Sequence, residues 1–95
     1  WVKGYIVGTT RQNLGNTKFD GILENFTAIV LADETGTTDK KILFPVGVDK
    51  TSRQTLAEYG DDLINMRVKV YGNKPFEGYM GQPGIKTAYR IVIMQ

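Results

Sequence analysis

Short runs in which apolar and polar side chains alternate recur along the chain, and each predicts a β-strand. The first run spans residues 2–9 and contains Gly4. A glycine inside a strand usually marks a bend or bulge where a sheet curls. Four further runs follow at residues 27–33, 41–46, 66–72 and 85–94. The chain is therefore predicted to contain five strands.

The segment between the third and fourth runs breaks this alternation and predicts one short helix. Thr51 or Ser52 can cap its N-terminus, Leu56 continues its apolar side, and Gly60 ends it. Residues 9–26 and 73–85 are polar or rich in glycine and are predicted to be long loops. The predicted order is three strands, a helix and two strands.

This element order is that of the OB-fold, a five-stranded Greek-key barrel. We therefore predict an all-β fold with one short helix, in which the helix lies between the third and fourth strands of an OB-fold barrel. An SH3-like barrel, which usually lacks this helix, and an open α+β sheet are the alternatives. A chain of 95 residues supports one modest core, so residues 1–95 are expected to form a single domain.

The alternation also sorts the strand residues into an interior and an exterior set. The residues predicted to point inward are Val2, Ile6, Ile29, Leu31, Ile42, Phe44, Val46, Val68, Val70, Ile91 and Ile93. Those predicted to point outward are Lys3, Tyr5, Ala28, Val30, Lys41, Leu43, Arg67, Lys69, Tyr71, Lys86 and Arg90. The outer face of the first three strands would be the ligand face of an OB-fold. It could instead be covered by the 9–26 loop or by a protein partner.

Composition narrows the chemistry that the chain can perform. It has no cysteine and no histidine, which removes thiolate nucleophiles, the usual general base and the commonest metal ligand. Asp33, Glu34 and Asp39 could gather a weak calcium ion, but their spacing is not that of an EF-hand loop. We therefore expect no catalytic residues, no cofactor and no metal.

The net charge of +2 is unevenly distributed along the chain. Residues 1–18 carry a net charge of +3 and residues 66–95 carry +4, whereas residues 19–65 carry −5. Two basic ends around an acidic centre predict a basic face if the fold brings the ends together.

The predicted connection between the fourth and fifth strands has more chemistry than a turn requires. Residues 78–86, Gly-Tyr-Met-Gly-Gln-Pro-Gly-Ile-Lys, contain three glycines and one proline. This loop and the 9–26 loop overhang the ligand face in an OB-fold. Rings there could stack on bases and cations could bind phosphates, although Phe76, Tyr79 and Met80 could instead cap the barrel. The predicted nucleic-acid-binding residues are Lys3, Tyr5, Lys41, Lys74, Phe76, Tyr79, Lys86 and Arg90.

Five segments carry a family resemblance: residues 2–8 (Val-Lys-Gly-Tyr-Ile-Val-Gly), 31–33 (Leu-Ala-Asp), 53–56, 68–70 (Val-Lys-Val) and 79–86. Together they resemble a family of small bacterial OB-fold domains found mainly in exported, envelope-associated proteins. The family is similar to the accessory OB domain of secreted, sugar-nonspecific nucleases, in which another domain cuts the substrate. The resemblance weakens at residues 9–26 and 34–40. It implies a binding module and an exported or cell-envelope location.

The sequence therefore predicts a non-catalytic OB-fold module that binds single-stranded nucleic acid through the two long loops. The alternative from a different class is a protein- or glycan-interaction module of an exported cell-envelope protein, joined to other domains. No segment approaches the ~18 apolar residues of a membrane span.

Overall fold

Antiparallel β-structure dominates the chain, as the computed structural model shows for the residues that it describes: 1–19, 21–39, 42–73, 79–80 and 82–94. The elements are β1 (Val2–Arg11), β2 (Asn13–Lys18), β3 (Ala28–Ala32), β4 (Phe44–Gly47), α1 (Lys50–Ala57), a 3₁₀ turn (Gly60–Leu63), β5 (Arg67–Asn73) and β6 (Thr87–Met94). The prediction of a mostly β domain with one short helix before the last two strands is confirmed.

The strands form one antiparallel sheet in the order β4-β3-β1-β5-β6, and β2 pairs with β1 outside this path. β1 lies at the centre because different parts of it pair with different strands. Its residues 2–5 pair with β5 and its residues 5–10 pair with β3. A bulge at Val7 shifts the register between Ile6 and Gly8. The predicted irregularity of the first strand thus lies three residues after Gly4.

The two ends of the sheet approach one another next to β4. Val46 and Ile85 form a single parallel bridge, in which the Gly47 N–H donates to Ile85 O (2.7 Å) and the Ile85 N–H donates to Pro45 O (3.0 Å). Ile85 precedes β6, so this bridge does not extend into a ladder along that strand. The sheet is therefore not closed into a barrel.

The helix begins two residues earlier than the sequence predicts. Asp49, rather than Thr51 or Ser52, is the N-cap, because its carboxylate accepts a hydrogen bond of 2.7 Å from the Ser52 N–H. This bond is also the main reason that the pKa of Asp49 is lowered. Gly60 does not end α1 but begins the 3₁₀ turn, with a φ of +56°. A 3₁₀ turn thus follows α1 almost directly.

The main core lies between the inner face of the sheet and the helical segment. Its buried members come from every strand except β2 and include one leucine from α1 and one from the 3₁₀ turn. They are Ile6, Phe26, Ile29, Leu31, Val46, Val48, Leu56, Leu63, Val68, Val70, Ile85 and Ala88. The predicted inward residues Val2, Phe44, Ile91 and Ile93 pack against this core and are partly buried.

Several predicted boundaries were wrong. The third predicted strand begins at Phe44, so Ile42 lies outside the ladder and is 66% exposed rather than inward. The last strand begins at Thr87, because the preceding Ile85 pairs with β4 instead. Residues 13–18, predicted as loop, form β2. Polar side chains rather than apolar alternation stabilise that strand, which is why the apolar pattern did not reveal it.

We expect Gly47→Ala to lower the free energy of unfolding by about 1–3 kcal/mol, the usual cost of overpacking. A Cβ at Gly47 would overlap the carbonyl oxygen of Lys86, and this backbone group is held by the β4 bridge. Gly15→Ala is the matched control, because its new Cβ would meet only the flexible Asn13 side chain. Urea denaturation of both variants measures the difference. Equal stability of the two variants would contradict the close approach of β4 to residue 86.

Candidate nucleic-acid interface

The outer face of β1, β3 and β4, which is the predicted ligand face, is buried beneath other parts of the chain. A second apolar cluster forms there from Val7, Leu14, Val30, Ala32 and Leu43, and Phe19 and Met80 pack against it. Val30 and Leu43 lie in this cluster and not in the main core, in agreement with their predicted outward direction, but they and Ala28 are buried and so are not open to a ligand.

Hydroxyl hydrogen bonds fix the segment that covers this face. The Thr10 hydroxyl donates to Asn13 O (2.6 Å) at the hairpin between β1 and β2. The buried Thr9 hydroxyl donates to Gly21 O (3.1 Å) and accepts from the Leu23 N–H (2.7 Å). These bonds join β1 to Asn13, Gly21 and Leu23; Leu14 and Phe19 pack over the outer face, whereas Leu23 and Phe26 pack in or against the main core. The alternative in which this segment covers the face is confirmed.

Tyr79, Met80 and Gln82 close the other side of the same cluster. Tyr79 and Gln82 exchange backbone hydrogen bonds of 2.7 and 3.1 Å, and the Gln82 side-chain amide donates to Leu43 O (2.6 Å). Met80 has a φ of +55° and packs against the second cluster. Tyr79 is half-buried, and this burial raises the pKa of its hydroxyl. Met80 thus folds back onto the chain, as the capping alternative expects, but it covers the second cluster on the outer face and not the end of a barrel.

A different part of the outer face, formed by β1, β5 and β6, carries concentrated positive charge. These three neighbouring strands contain five cationic residues and no aspartate or glutamate. Cross-strand register pairs Lys3 with Lys69, Tyr5 with Arg67 and Tyr71 with Arg90. Directly paired residues project from the same side of a sheet. We call this surface the basic face and define it by Lys3, Tyr5, Arg67, Lys69, Tyr71 and Arg90.

Aromatic rings lie between the cations of the basic face. The Lys69 ammonium is 4.0 Å from the centroid of the Trp1 ring and 5.4 Å from that of Tyr71. Lys3 lies 5.9 Å from the Trp1 ring, and the Arg90 guanidinium lies 5.6 Å from the Tyr71 ring. These distances are within the range of cation–π attraction. Cations and rings are therefore interspersed on this face, on which Val92 and Met94 lie beside Lys69 and Arg67, and Trp1 extends the basic face at its edge.

A bulge in β6 determines which of its side chains join the basic face. Tyr71 pairs with Arg90 and the next residue, Gly72, pairs with Ala88, so Tyr89 is the unpaired extra residue. Ala88 is buried in the main core, whereas Tyr89 is 72% exposed and Arg90 is exposed. Bulges commonly redirect a side chain in this way. The bulge lets one strand contribute both to the core and to the basic face.

The structure brings together three of the eight predicted binding residues. Lys3, Tyr5 and Arg90 lie on the basic face. Tyr79 belongs to the turn beside β4, and Lys86 precedes β6 with its carbonyl group against Gly47. The other three, Lys41, Lys74 and Phe76, lie outside the described residues.

Four residues of this surface were not among the predicted binding residues: Trp1, Arg67, Lys69 and Tyr71. The alternation had already placed Arg67, Lys69 and Tyr71 on the exterior. The OB-fold order, which sets the first and fourth predicted strands side by side, would have joined them to Lys3. The signal for these residues therefore lay in the strand pattern and not in the loops.

The acidic residues and the helices of the described part of the chain were also considered as metal ligands and as membrane spans. Within the described part of the chain, no three acidic residues lie close enough together to hold a metal ion, and Asp33, Glu34 and Asp39 are no exception. No helix among the described residues is long and apolar enough to cross a membrane.

Comparison with known proteins places the chain in one family. A family model described as a domain of unknown function, DUF6359, matches residues 1–94, so the chain belongs to this family. No curated protein and no solved structure matches it.

We expect Leu14→Ala to lower the free energy of unfolding by about 2–3 kcal/mol, as for a leucine truncated in a core. Leu14 is buried in the second cluster although it lies in a polar strand. Lys18→Ala, an exposed change in the same strand, is the control and should alter stability by less than about 0.5 kcal/mol. Thermal and urea denaturation provide the measurement. A harmless Leu14→Ala would mean that residues 9–26 do not cover the sheet in solution.

Proposed function

We propose that the protein is a non-catalytic module that binds single-stranded nucleic acid on its basic face. The observation that carries this proposal is the close approach of cations to aromatic rings on and beside three neighbouring strands that contain no carboxylate. The three strands supply no carboxylate, and Asp33, which follows β3, lies at the edge of this surface, where it lines a cavity with Lys3. The proposal moves the binding surface from the predicted loops to the strands, because the face between those loops is filled by the chain's own residues.

The size of the basic face suits a short stretch of an extended strand. Arg67 to Tyr71 spans about 13 Å at about 3.3 Å per residue, and three strands span about 10 Å. Trp1 is 65% exposed, so the Lys69 ammonium covers only part of its ring. The remaining surface of the indole is open to a base, while the ammonium remains free to bind the adjoining phosphate.

Single strands fit this arrangement better than duplexes. Unpaired bases present their rings for stacking on aromatic side chains, and such stacking tolerates any base sequence. In a duplex the bases are stacked on one another, and only phosphates and groove edges would meet Trp1 and Tyr71. The rings of the basic face would then add little, so their presence among the cations favours a single-stranded ligand.

We also propose that the sheet is an OB-fold whose closure is incomplete. The strand order β4-β3-β1-β5-β6, the helix between β4 and β5, and the parallel contact of β4 with the residues before β6 support this assignment. In this assignment the second cluster occupies the usual ligand face of the fold. The basic face would be an alternative surface on the same scaffold.

Single-stranded oligonucleotides should bind with an affinity that falls as salt rises, and two sets of variants separate charge from stacking. Replacing Lys3, Arg67 and Lys69 by glutamine should reduce the slope of log K against log salt by about 2, since each phosphate contact on a single strand contributes about 0.7. Trp1→Ala with Tyr71→Ala should leave the slope nearly unchanged and weaken binding by about 1–3 kcal/mol per lost stacked base. Fluorescence anisotropy at several salt concentrations measures both.

The matched control removes the same charge from other places. Lys18, Lys50 and Lys86 replaced together by glutamine give the same net charge as the first set but lie off the basic face. This control should retain most of the wild-type slope. If both triple variants lose the slope equally, binding follows net charge alone and the proposed site is wrong. Failure of the wild type to bind oligonucleotides even at low salt would favour the protein- or glycan-interaction alternative.

A further inference from the structure

A groove with a volume of about 340 Å³ lies between α1 and residues 22–26. None of the residues of the basic face lines it. Ile22, Leu23 and Phe26 supply apolar surface from one side, and Ala57 supplies it from the last turn of α1. Small-molecule sites are typically apolar clefts of this size with a few polar groups that fix orientation.

Arg53 supplies the main polar group of this groove and is incompletely bonded. Its Nη1 donates to Phe26 O at 3.5 Å, which is longer than the usual N–H···O distance of about 2.7–3.2 Å. Its Nε is buried and has no hydrogen-bond partner. A buried donor without a partner lowers stability, and such groups are rare in folded proteins. Because Nε is covered, the Arg53 side chain must turn toward the groove for a ligand to accept a hydrogen bond from it, and such a bond would remove this cost.

The chain fixes the opposite wall of the groove. The Phe26 N–H donates to Leu23 O (3.1 Å), and Asn25 between them has a φ of +56°. Phe26 itself is buried in the main core, so its carbonyl group cannot move far from Arg53. The bond to this carbonyl uses Nη1, and the guanidinium edge formed by Nε and Nη2 remains. Two parallel N–H groups on such an edge match the two oxygens of a carboxylate.

Charges around the groove are mixed. Lys50 is three residues before Arg53 and lies on the same side of α1, whereas Glu24 lies on the opposite wall. Asp49 also faces Arg53, but its carboxylate accepts the capping hydrogen bond from Ser52. Lys50 and Arg53 therefore supply the positive charge for an anion, and Glu24 opposes it at the rim.

We infer that this groove binds a carboxylate joined to a small apolar group, with the carboxylate on the free edge of Arg53 and the apolar group against Ile22, Leu23 and Ala57. The C-terminal residue of a peptide that ends in leucine has this chemistry, and so does a free branched carboxylic acid. The site is separate from the basic face and does not depend on nucleic-acid binding.

Nuclear magnetic resonance titration of the ¹⁵N-labelled protein tests the inference with three probes that share an isobutyl group. N-acetyl-leucine and 4-methylpentanoate carry a carboxylate, and N-acetyl-leucinamide is the uncharged match. The two acids should shift the Arg53 Nε–H resonance and the amide resonances of Phe26 and Ala57, whereas the amide should not. Tighter binding of N-acetyl-leucine than of 4-methylpentanoate would identify a peptide end, and equal binding would identify a free acid.

Variants separate recognition of the carboxylate by the guanidinium edge from its attraction to positive charge alone. Arg53→Lys retains the charge but lacks the two-pronged edge and should weaken the binding of N-acetyl-leucine at least tenfold. Ala57→Leu leaves Arg53 intact and should block the apolar part of the groove. This second variant tests the groove even if Arg53→Lys fails to fold. Glu24→Gln should strengthen binding about twofold. Arg67→Lys on the basic face is the matched control and should change nothing.

Three results would overturn the inference. The first is no shift at tens of millimolar of either acid, and the second is an equal response to N-acetyl-leucinamide. The third is wild-type affinity in a folded Arg53→Lys protein. Each would show that the groove does not recognise a carboxylate through Arg53, and none would alter the oligonucleotide measurements on the basic face.

Discussion

β1 supplies backbone hydrogen bonds to three other strands, and this sharing constrains most of what the domain can do. Its first residues pair with β5, its middle residues with β3, and its end with β2. Successive side chains of a strand point to opposite faces, so Ile6 enters the main core while the adjacent Val7, at the bulge in the β3 pairing, enters the second cluster. One strand thereby serves two apolar clusters on opposite sides of a sheet. The basic face, at the other end of the same strand, exists only because β5 pairs there.

Apolar alternation was sufficient to predict the elements that contribute to the main core. The strands around Ile29, Val46 and Val68 and the helix around Leu56 were all predicted, because each has a buried side at the expected period. β2 escaped prediction since only Leu14 among its six residues is buried. Its hairpin depends on hydroxyl hydrogen bonds, and such bonds have no periodic pattern in a sequence.

The positive charge of the candidate site was predictable from the sequence, but its position on the sheet was not. The excess of cations near both ends of the chain was evident, and pairing of β1 with β5 brings members of the two groups together. The sequence left open whether the 9–26 loop, a ligand or a protein partner would cover the face between the predicted loops. That outcome depends on tertiary contacts of Leu14, Phe19 and Met80, and local propensity does not determine such contacts. Arg53 was missed for a similar reason, because its groove forms only when residues 22–26 fold back beside α1.

The covering hairpin also has a consequence for how this family can vary. Beneath it lie Val7, Val30 and Leu43. Without the hairpin, these three residues would form a continuous exposed apolar patch on the sheet. A relative with a shorter connection after its first strand must carry polar residues at these positions or cover them with another molecule, since exposed patches of this kind promote association. The length of one surface hairpin and the polarity of three distant strand positions are thus expected to vary together. During evolution, a shorter hairpin would therefore change the tendency of the domain to associate with other molecules.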